Sequence, residues 1–261
     1  MLNIVIPMAG LGSRFVEAGY SNPKPLILVH NIPMIRLVIE NLRPKKSEHR
    51  FIFIVQREHV KQYGLSQLLN EWAGSQTEII QLDGLTEGAA CTVLYSKIFI
   101  DSNSPIMIAN CDQFINIDID LYLQDMLDRG LDGQIMTMYA DDPKWSFIDY
   151  NDNYLVSRVA EKLVISNEAT VGVYNFAHGT DFIQAAEEMI QDNDRVNGEF
   201  YVAPTYNRLI RKNKRIGFFN VGSDLVDQKR GMFGLGTPSD LDIFHDDCRT
   251  AQYVHKLFFG K

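Results

Sequence analysis

Two glycines, an arginine and a lysine stand close together near the start of the chain. The segment Pro7-Met8-Ala9-Gly10-Leu11-Gly12-Ser13-Arg14-Phe15 emerges from an apolar run, Leu2 to Met8. Gly10 and Gly12 let the backbone turn sharply and leave its N–H groups uncovered, which suits an anionic phosphate chain. Arg14 and Lys24 could add fixed positive charge. Lys24 lies between Pro23 and Pro25. Each ring fixes its own φ and restricts the residue before it, so the lysine is expected on a stiff, extended segment. A cation held this way loses little freedom when phosphates bind. Two familiar phosphate loops do not fit. A dinucleotide fold wants a third glycine where Phe15 stands, and a P-loop ends in Gly-Lys-Ser/Thr, which this loop lacks.

Other residues suited to chemistry recur along the chain. The run I-M-I-A-N-C-D-Q ends in Asp112 and Gln113. A carboxylate at the C-terminal end of a parallel strand faces the crevice where α/β sheets bind ligands, and it suits Mg2+ bridging to a phosphate. The same aspartate could simply form a turn. In T-E-G-A-A, Gly88, Ala89 and Ala90 open a helical pattern. There a planar base could approach the backbone, or two elements could pack tightly. Glu161-Lys162 is either a substrate-binding pair or an exposed ion pair. Glu199, in N-G-E-F-Y, could touch substrate or stabilise a helix N-terminus.

With Arg14 and Lys24 spaced as they are, I-P-M-A-G-L-G-S-R-F … P-K-P-L … P-M-I resembles the signature of the sugar-phosphate nucleotidyltransferase (nucleotide-sugar pyrophosphorylase) superfamily. The Ile-Pro start is similar to that of its UTP–glucose-1-phosphate branch. The resemblance implies an α/β, GT-A-like or Rossmann-like three-layer sandwich with a mostly parallel mixed sheet. It implies transfer of NMP from an NTP, CTP or UTP favoured, to a sugar 1-phosphate or similar metabolite, with release of pyrophosphate. Met8, Ala9, Gly10, Gly12 and Ser13 would form the nucleotide loop, and Gly88 would lie in the nucleobase turn. Arg14 would hold the departing phosphates, Lys24 the α-phosphate, and Asp112 the Mg2+ cofactor. Glu161 would accept hydrogen bonds from substrate hydroxyls and Lys162 would meet the substrate phosphate. Gly172 and Tyr174, in V-G-V-Y-N-F, would line the sugar site, with Glu199 also on the substrate side. The stand-alone members it resembles imply a capsule or surface-polysaccharide role, with no appended acyltransferase-type helix.

Two departures stand out. Leu163 replaces the proline that usually follows the Glu-Lys pair. Gly234, in G-M-F-G-L-G-T-P, stands where related enzymes carry Asp as a second metal ligand in W-x-D-x-G-T. Asn220 and Asp224 are weak substitutes, and the gap leaves room for a non-catalytic relative or, on the same fold, a glycosyltransferase.

Apolar runs at Leu2–Met8 and Phe51–Val55 and expected strands at Glu78–Leu82 and Pro105–Ala109, alternating with helical patterns, predict a parallel sheet covered on both faces. After residue 130, close-spaced runs at Ile135–Tyr139, Phe147–Tyr150, Tyr154–Val159 and Thr170–Phe176 predict antiparallel pairing, with Asn151-Asp152-Asn153 as a hairpin turn. Helices are expected near 180–191 and 200–212, a strand over Arg215–Val221, and a last helix from Pro238, capped by Thr237. We expect one domain over 1–261, with a nucleotide-binding half at 1–130 and a substrate-binding half at 131–261.

The chain has 261 residues, 46% of them hydrophobic and 22% charged, which is ordinary globular composition. Its formal charge of −8 provides no sequence-wide field for DNA or RNA. The implied partners are an NTP and a phosphorylated small molecule, without nucleic acid or membrane; a homo-oligomer is compatible with the sequence. No apolar run approaches the roughly 18 residues of a membrane span, and without a signal-peptide pattern the cytoplasm is the expected location. Cys91, Cys111 and Cys248 form no C-x-x-C pair and are expected to be small buried side chains. His245 is expected on a solvated helix face, and Asp118-x-Asp120 as only an imitation of a glycosyltransferase DxD. The basic run from Arg208 to Arg215 is expected at a solvated helix end.

Overall fold

A computed structural model describes residues 1–223 and 231–260. Its core is a nine-stranded mixed sheet. Along the main path the strands are Val156–Glu161, Ser146–Tyr150, Glu168–Phe176, Ile106–Ala109, Leu2–Pro7, His49–Gln56 and Glu78–Leu82. Gly133–Tyr139 pairs with Glu168–Phe176 and, in parallel, with Ile216–Ser223. The four strands from the first half of the chain are mutually parallel, and Glu168–Phe176 joins them antiparallel to Ile106–Ala109.

The first strand shows why both faces must be covered. Ile4 and Ile6 point into one core and Val5 into another, the period of two that a pleated strand imposes. Helices Met34–Leu42, Leu65–Ala73 and Ile119–Asp128 cover the first face through Ile35, Leu69 and Tyr122. Helices Ala89–Leu94, Gly179–Gln191 and Tyr206–Arg211 cover the second through Val93, Phe182 and Leu209. The result is the expected three-layer α/β sandwich.

The C-terminal stretch returns to the N-terminal half. Met232–Gly234 pairs antiparallel with Gln113–Ile115, and helices Pro238–Asp246 and Thr250–Phe259 follow. Phe114, Phe233 and Phe244 form a third core with Phe15 of the glycine loop and Leu37. Thr237 caps the first of these helices, accepting from the Asp240 N–H at 3.1 Å, with Pro238 at the first position as expected.

Asp118 is the N-cap of helix Ile119–Asp128, and the Asp120 carboxylate accepts from the Lys45 and Lys46 N–H groups, so the DxD serves the fold, in line with its being only an imitation of the glycosyltransferase motif. Two other expectations need correcting. Arg208 is buried against Asp192 and Asp194, Lys212 pairs with Glu188, and Lys214 bridges Asp132 and Asp181; the basic run therefore ties helices together. Cys91 and Cys111 are half-buried and Cys248 is exposed. Asn151 turns the hairpin as expected, its Oδ1 accepting from Asn153 N and Leu155 N.

One buried amide fixes the chain just beyond Asp112. Asn41 Nδ2 donates to Ile115 O at 2.8 Å, and Asn41 Oδ1 accepts from Ile115 N at 2.7 Å, so a side chain completes the ladder that a strand would otherwise supply. Asn41→Leu leaves both backbone groups of Ile115 unpaired. It is expected to destabilise the fold by about 2–4 kcal/mol, read as a lowered urea midpoint at unchanged m-value.

Candidate functional site

The glycine loop is held from below. Met8 N donates to Ile54 O at 2.9 Å, and Gln56 Nε2 donates to Ala9 O and, at 3.1 Å, to Gly84 O. Gly12 has φ +63°, in the left-handed region, and a Cβ there would lie 3.0 Å from Lys24 Cβ. Glycine is needed both for the turn and for the lysine that crosses it. Beyond it, the short helix Ser13–Glu17 buries Phe15 and leaves Ser13 and Arg14 exposed.

Lys24 is not on an extended segment. Pro23 is extended, with ψ 147°, but Lys24–Leu26 forms a single 3-10 turn. That turn points the ammonium inward, where Nζ donates to Asp112 Oδ2 in a tight ion pair. Burial alone would lower the Lys24 ammonium, but the facing Asp112, with Cys111, outweighs it and lifts the pKa above the ordinary lysine value. Arg14 is near enough to oppose that shift, so its charge reaches the same place. Burial pushes the neighbouring Cys111 thiol up to about 11, which keeps it neutral and unreactive.

Two cavities meet here. One, of about 390 Å3, is lined by Met8, Gly10, Gly12, Lys24, Asp112 and Glu199, among others. The second, of about 270 Å3, is lined by Glu161, Lys162, Gly172 and Tyr174 together with Lys144, Trp145 and Tyr201. Ala89 and Asn110 line both, so the cavities adjoin. Four of the five residues expected on the substrate side thus share one cavity. Glu199 is exposed on the other, well before the 3-10 turn at Ala203–Thr205, which removes the helix-end alternative.

The second cavity joins both signs of charge. Ser146 Oγ donates to Glu161 Oε2, and Lys162 Nζ donates to Tyr201 Oη at 2.6 Å while lying 4.7 Å from that ring's centre. Lys162 itself has φ +53°, a conformation that L residues rarely adopt and that functional sites often retain. Burial raises the Glu161 carboxyl, opposed by Ser146 and Lys162 and reinforced by Glu199. The Tyr174 phenol is held far above its ordinary value by burial and by Glu161, so it stays protonated beside Thr170. Gly172 has φ +79°, and a Cβ there would lie 2.2 Å from Asn110 Nδ2. Asn110, Trp145 and Tyr201 were not singled out from sequence, although Asn110 lies in the Asp112 motif and Tyr201 two residues past Glu199.

Gly88 is engaged in packing. With φ +129°, its Cβ would lie 2.4 Å from Phe200 O, and Ala90 N donates to that same oxygen at 3.0 Å. Of the weak substitutes for a second carboxylate, Asn220 donates to Glu168 at 2.8 Å, and Asp224 lies outside the described residues.

The fold and the two adjoining cavities define an α/β protein whose cations and carboxylates converge beside the glycine loop. Residues 4–213 match the Nucleotidyl transferase family, to which the chain belongs. It is 27% identical over 175 residues to a mannose-1-phosphate guanyltransferase of Pichia angusta; the match covers 65% of this chain and about half, 48%, of that protein. The nucleoside-diphosphate-sugar pyrophosphorylase of Vibrio cholerae RC9 is similar in structure, with TM-score 0.75 and 25% identity over 92% of this chain and 98% of that one. The inositol-1-phosphate CTP transferase of T. maritima shares the fold at TM-score 0.74 and 12% identity, over 99% and 96% of the two chains. Among the described residues no helix is long and apolar enough to cross a membrane.

Nucleotidyltransferases of this family generally use a divalent metal. The residues fit one: Asp112 offers hard carboxylate oxygens on the wall of the loop cavity, and a cation, the Lys24 ammonium, already stands on it. Among the described residues no three His, Cys, Asp or Glu side chains converge, so phosphate oxygens and water would complete the shell.

The raised Glu161 gives a pH signature. Its native form takes up a proton at higher pH than the unfolded chain, whose value is near 4.5. Between those two values the native state holds more protons, so stability falls as pH rises through the window. Glu161→Gln lacks this titration. Urea unfolding between pH 4.5 and 7 is expected to show the variant gaining stability relative to wild type as pH rises, and then levelling off.

Proposed function

We propose that the chain transfers NMP from an NTP to a sugar 1-phosphate or similar phosphorylated metabolite, releasing pyrophosphate. The observation that carries this reading is the Lys24–Asp112 pair, standing at the wall of the loop cavity where that cavity adjoins the Glu161–Lys162 cavity. A triphosphate in the first would present its α-phosphorus toward a phosphate in the second. The acceptor oxygen, already anionic at neutral pH, forms the new P–O bond in line. The α–β bridging P–O bond breaks, and pyrophosphate leaves with the electron pair. No protein nucleophile or general base is required.

Catalysis on this reading is positioning and charge stabilisation. The loop formed by Met8, Ala9, Gly10, Gly12 and Ser13 receives the phosphates, with Gly88 at the base turn. Arg14 steadies the departing pyrophosphate, and Lys24 neutralises charge on the α-phosphate. Mg2+, when bound at Asp112, would further neutralise the triphosphate. Lys162 meets the acceptor phosphate, and Glu161, with Gly172, Tyr174 and Glu199, surrounds the acceptor body. CTP or UTP is the favoured donor, in keeping with the opening motif, and a role in capsule or surface-polysaccharide synthesis in the cytoplasm fits such a product.

A pyrophosphate-release screen crossing four NTPs with phosphorylated metabolites tests the assignment; release of NDP instead identifies glycosyl transfer. With the substrate pair so found, Lys24→Ala is expected to lower kcat by about 100- to 1,000-fold, the usual effect of removing one transition-state charge contact. Circular dichroism should remain native. Unchanged pyrophosphate release by that variant sinks the role given to Lys24.

A further inference from the structure

We propose that Asp240 supplies the second metal-facing carboxylate that Gly234 lacks. This rests on the nucleotidyltransferase reading, which implies the cation. The strand carrying Gly234 passes directly beside Asp112: Gly234 is in register with Gln113, and Leu235 N donates to Asp112 O at 2.7 Å. Gly236, two residues on, separates two carboxylates. A Cβ at Gly236 would lie 2.8 Å from Asp112 Oδ2 and 3.8 Å from Asp240 Oδ2, so both acids border the same point and a side chain there would fill it. A Cβ at Gly234 would lie 3.7 Å from Asp240 Cγ and 3.8 Å from each of its oxygens. The Asp240 carboxylate thus reaches the space from which an aspartate at 234 would extend.

Asp240 is oriented rather than neutralised. Thr237 Oγ1 donates to its Oδ2 at 2.7 Å while accepting from its N–H, which fixes the rotamer. Among the described residues no lysine, arginine or histidine forms an ion pair with it. Mg2+ is bound through one or two carboxylates together with substrate phosphates, so Asp112 and Asp240 on either side of Gly236 form a sufficient donor set. The position of the residue in sequence is different, but the charge falls in nearly the same place.

The test is Mn2+ binding to the full chain, followed by the electron paramagnetic resonance of free Mn2+, with thermal unfolding measured alongside. Asp240→Asn keeps the shape and the acceptor for Thr237 but removes the charge. It is expected to weaken Mn2+ binding by roughly 10- to 100-fold, the range that loss of a metal-supporting group causes, with little change in Tm. Adding Gly234→Asp to that variant should restore most of the affinity, because ordinary van der Waals space is open at 234. Wild-type affinity in Asp240→Asn, no saturable Mn2+ binding by the wild type, failure of the second substitution to rescue, or an effect on Tm alone overturns the proposal. Pyrophosphate release by wild type is scored separately, so loss of the nucleotidyltransferase reading and loss of the Asp240 role are told apart.

Discussion

Lys24 and Asp112 meet with side chains only 19% and 22% exposed, where bulk water screens them little. Asp112 keeps the Lys24 ammonium charged despite burial, and each comes from an element with other reasons to be where it is. Lys24 is aimed by a 3-10 turn that follows Pro23, and Gly12 leaves the room it crosses. Asp112 follows the central strand Ile106–Ala109 and is fixed beyond it by Asn41 on Ile115 and by Leu235 N. Moving either partner requires moving a layer of the sandwich. On the proposed function, a triphosphate entering the loop cavity would meet a cation and a carboxylate already in position.

The acidic balance of the chain is consistent with such a site because charge is partitioned on a short scale. Many surface cations among the described residues are committed to carboxylates, as Arg57 is to Asp83 and Lys97 to Glu187. Lys162, by contrast, is turned by its left-handed backbone onto the Tyr201 ring and hydroxyl at the edge of a cavity. Lys144 lines that cavity too, so a phosphate there would face two ammonium groups, while Glu161 offers an acceptor for hydroxyls. A field confined to a cavity in this way would suit the small phosphorylated ligand of the proposed function.

Central parallel strands were legible because they are buried on both faces and read as apolar runs, as Ile106–Ala109 does; Glu78–Leu82, a half-buried edge strand with Glu and Gln in it, still matches residue for residue. Helix Ile119–Asp128 was not. From Ile115 to Leu123 apolar residues fall at every second position, the pattern of a strand, yet Ile119, Tyr122 and Met126 are the ones buried. Helical spacing was hidden by exposed Leu121 and Leu127. At the site, Gly12, Lys24 and Asp112 could be read from chemistry that few residue types can perform. Gly88 could be read as a turn open to a base, whereas its close approach to the Phe200 backbone is a contact no local pattern encodes. The 3-10 turn at Lys24 was likewise invisible, since Pro–Lys–Pro restricts φ without fixing the lysine's ψ.

The family match ends at residue 213, whereas the third core that braces the glycine loop is completed after residue 231. Phe233 and Phe244 pack on Phe114, and Phe114 leads back to Asp112 within two residues. The C-terminal stretch is therefore tied to the site by packing even where its polar residues differ from the family pattern. Packing of this kind constrains volume and leaves the position of a charge freer. A carboxylate facing Asp112 can come from any backbone position within reach of Gly236, provided its rotamer is held, and Thr237 holds one. What the chemistry would require is a second negative charge at a point in space, and a residue-by-residue match to the motif is a stricter demand than the physics makes.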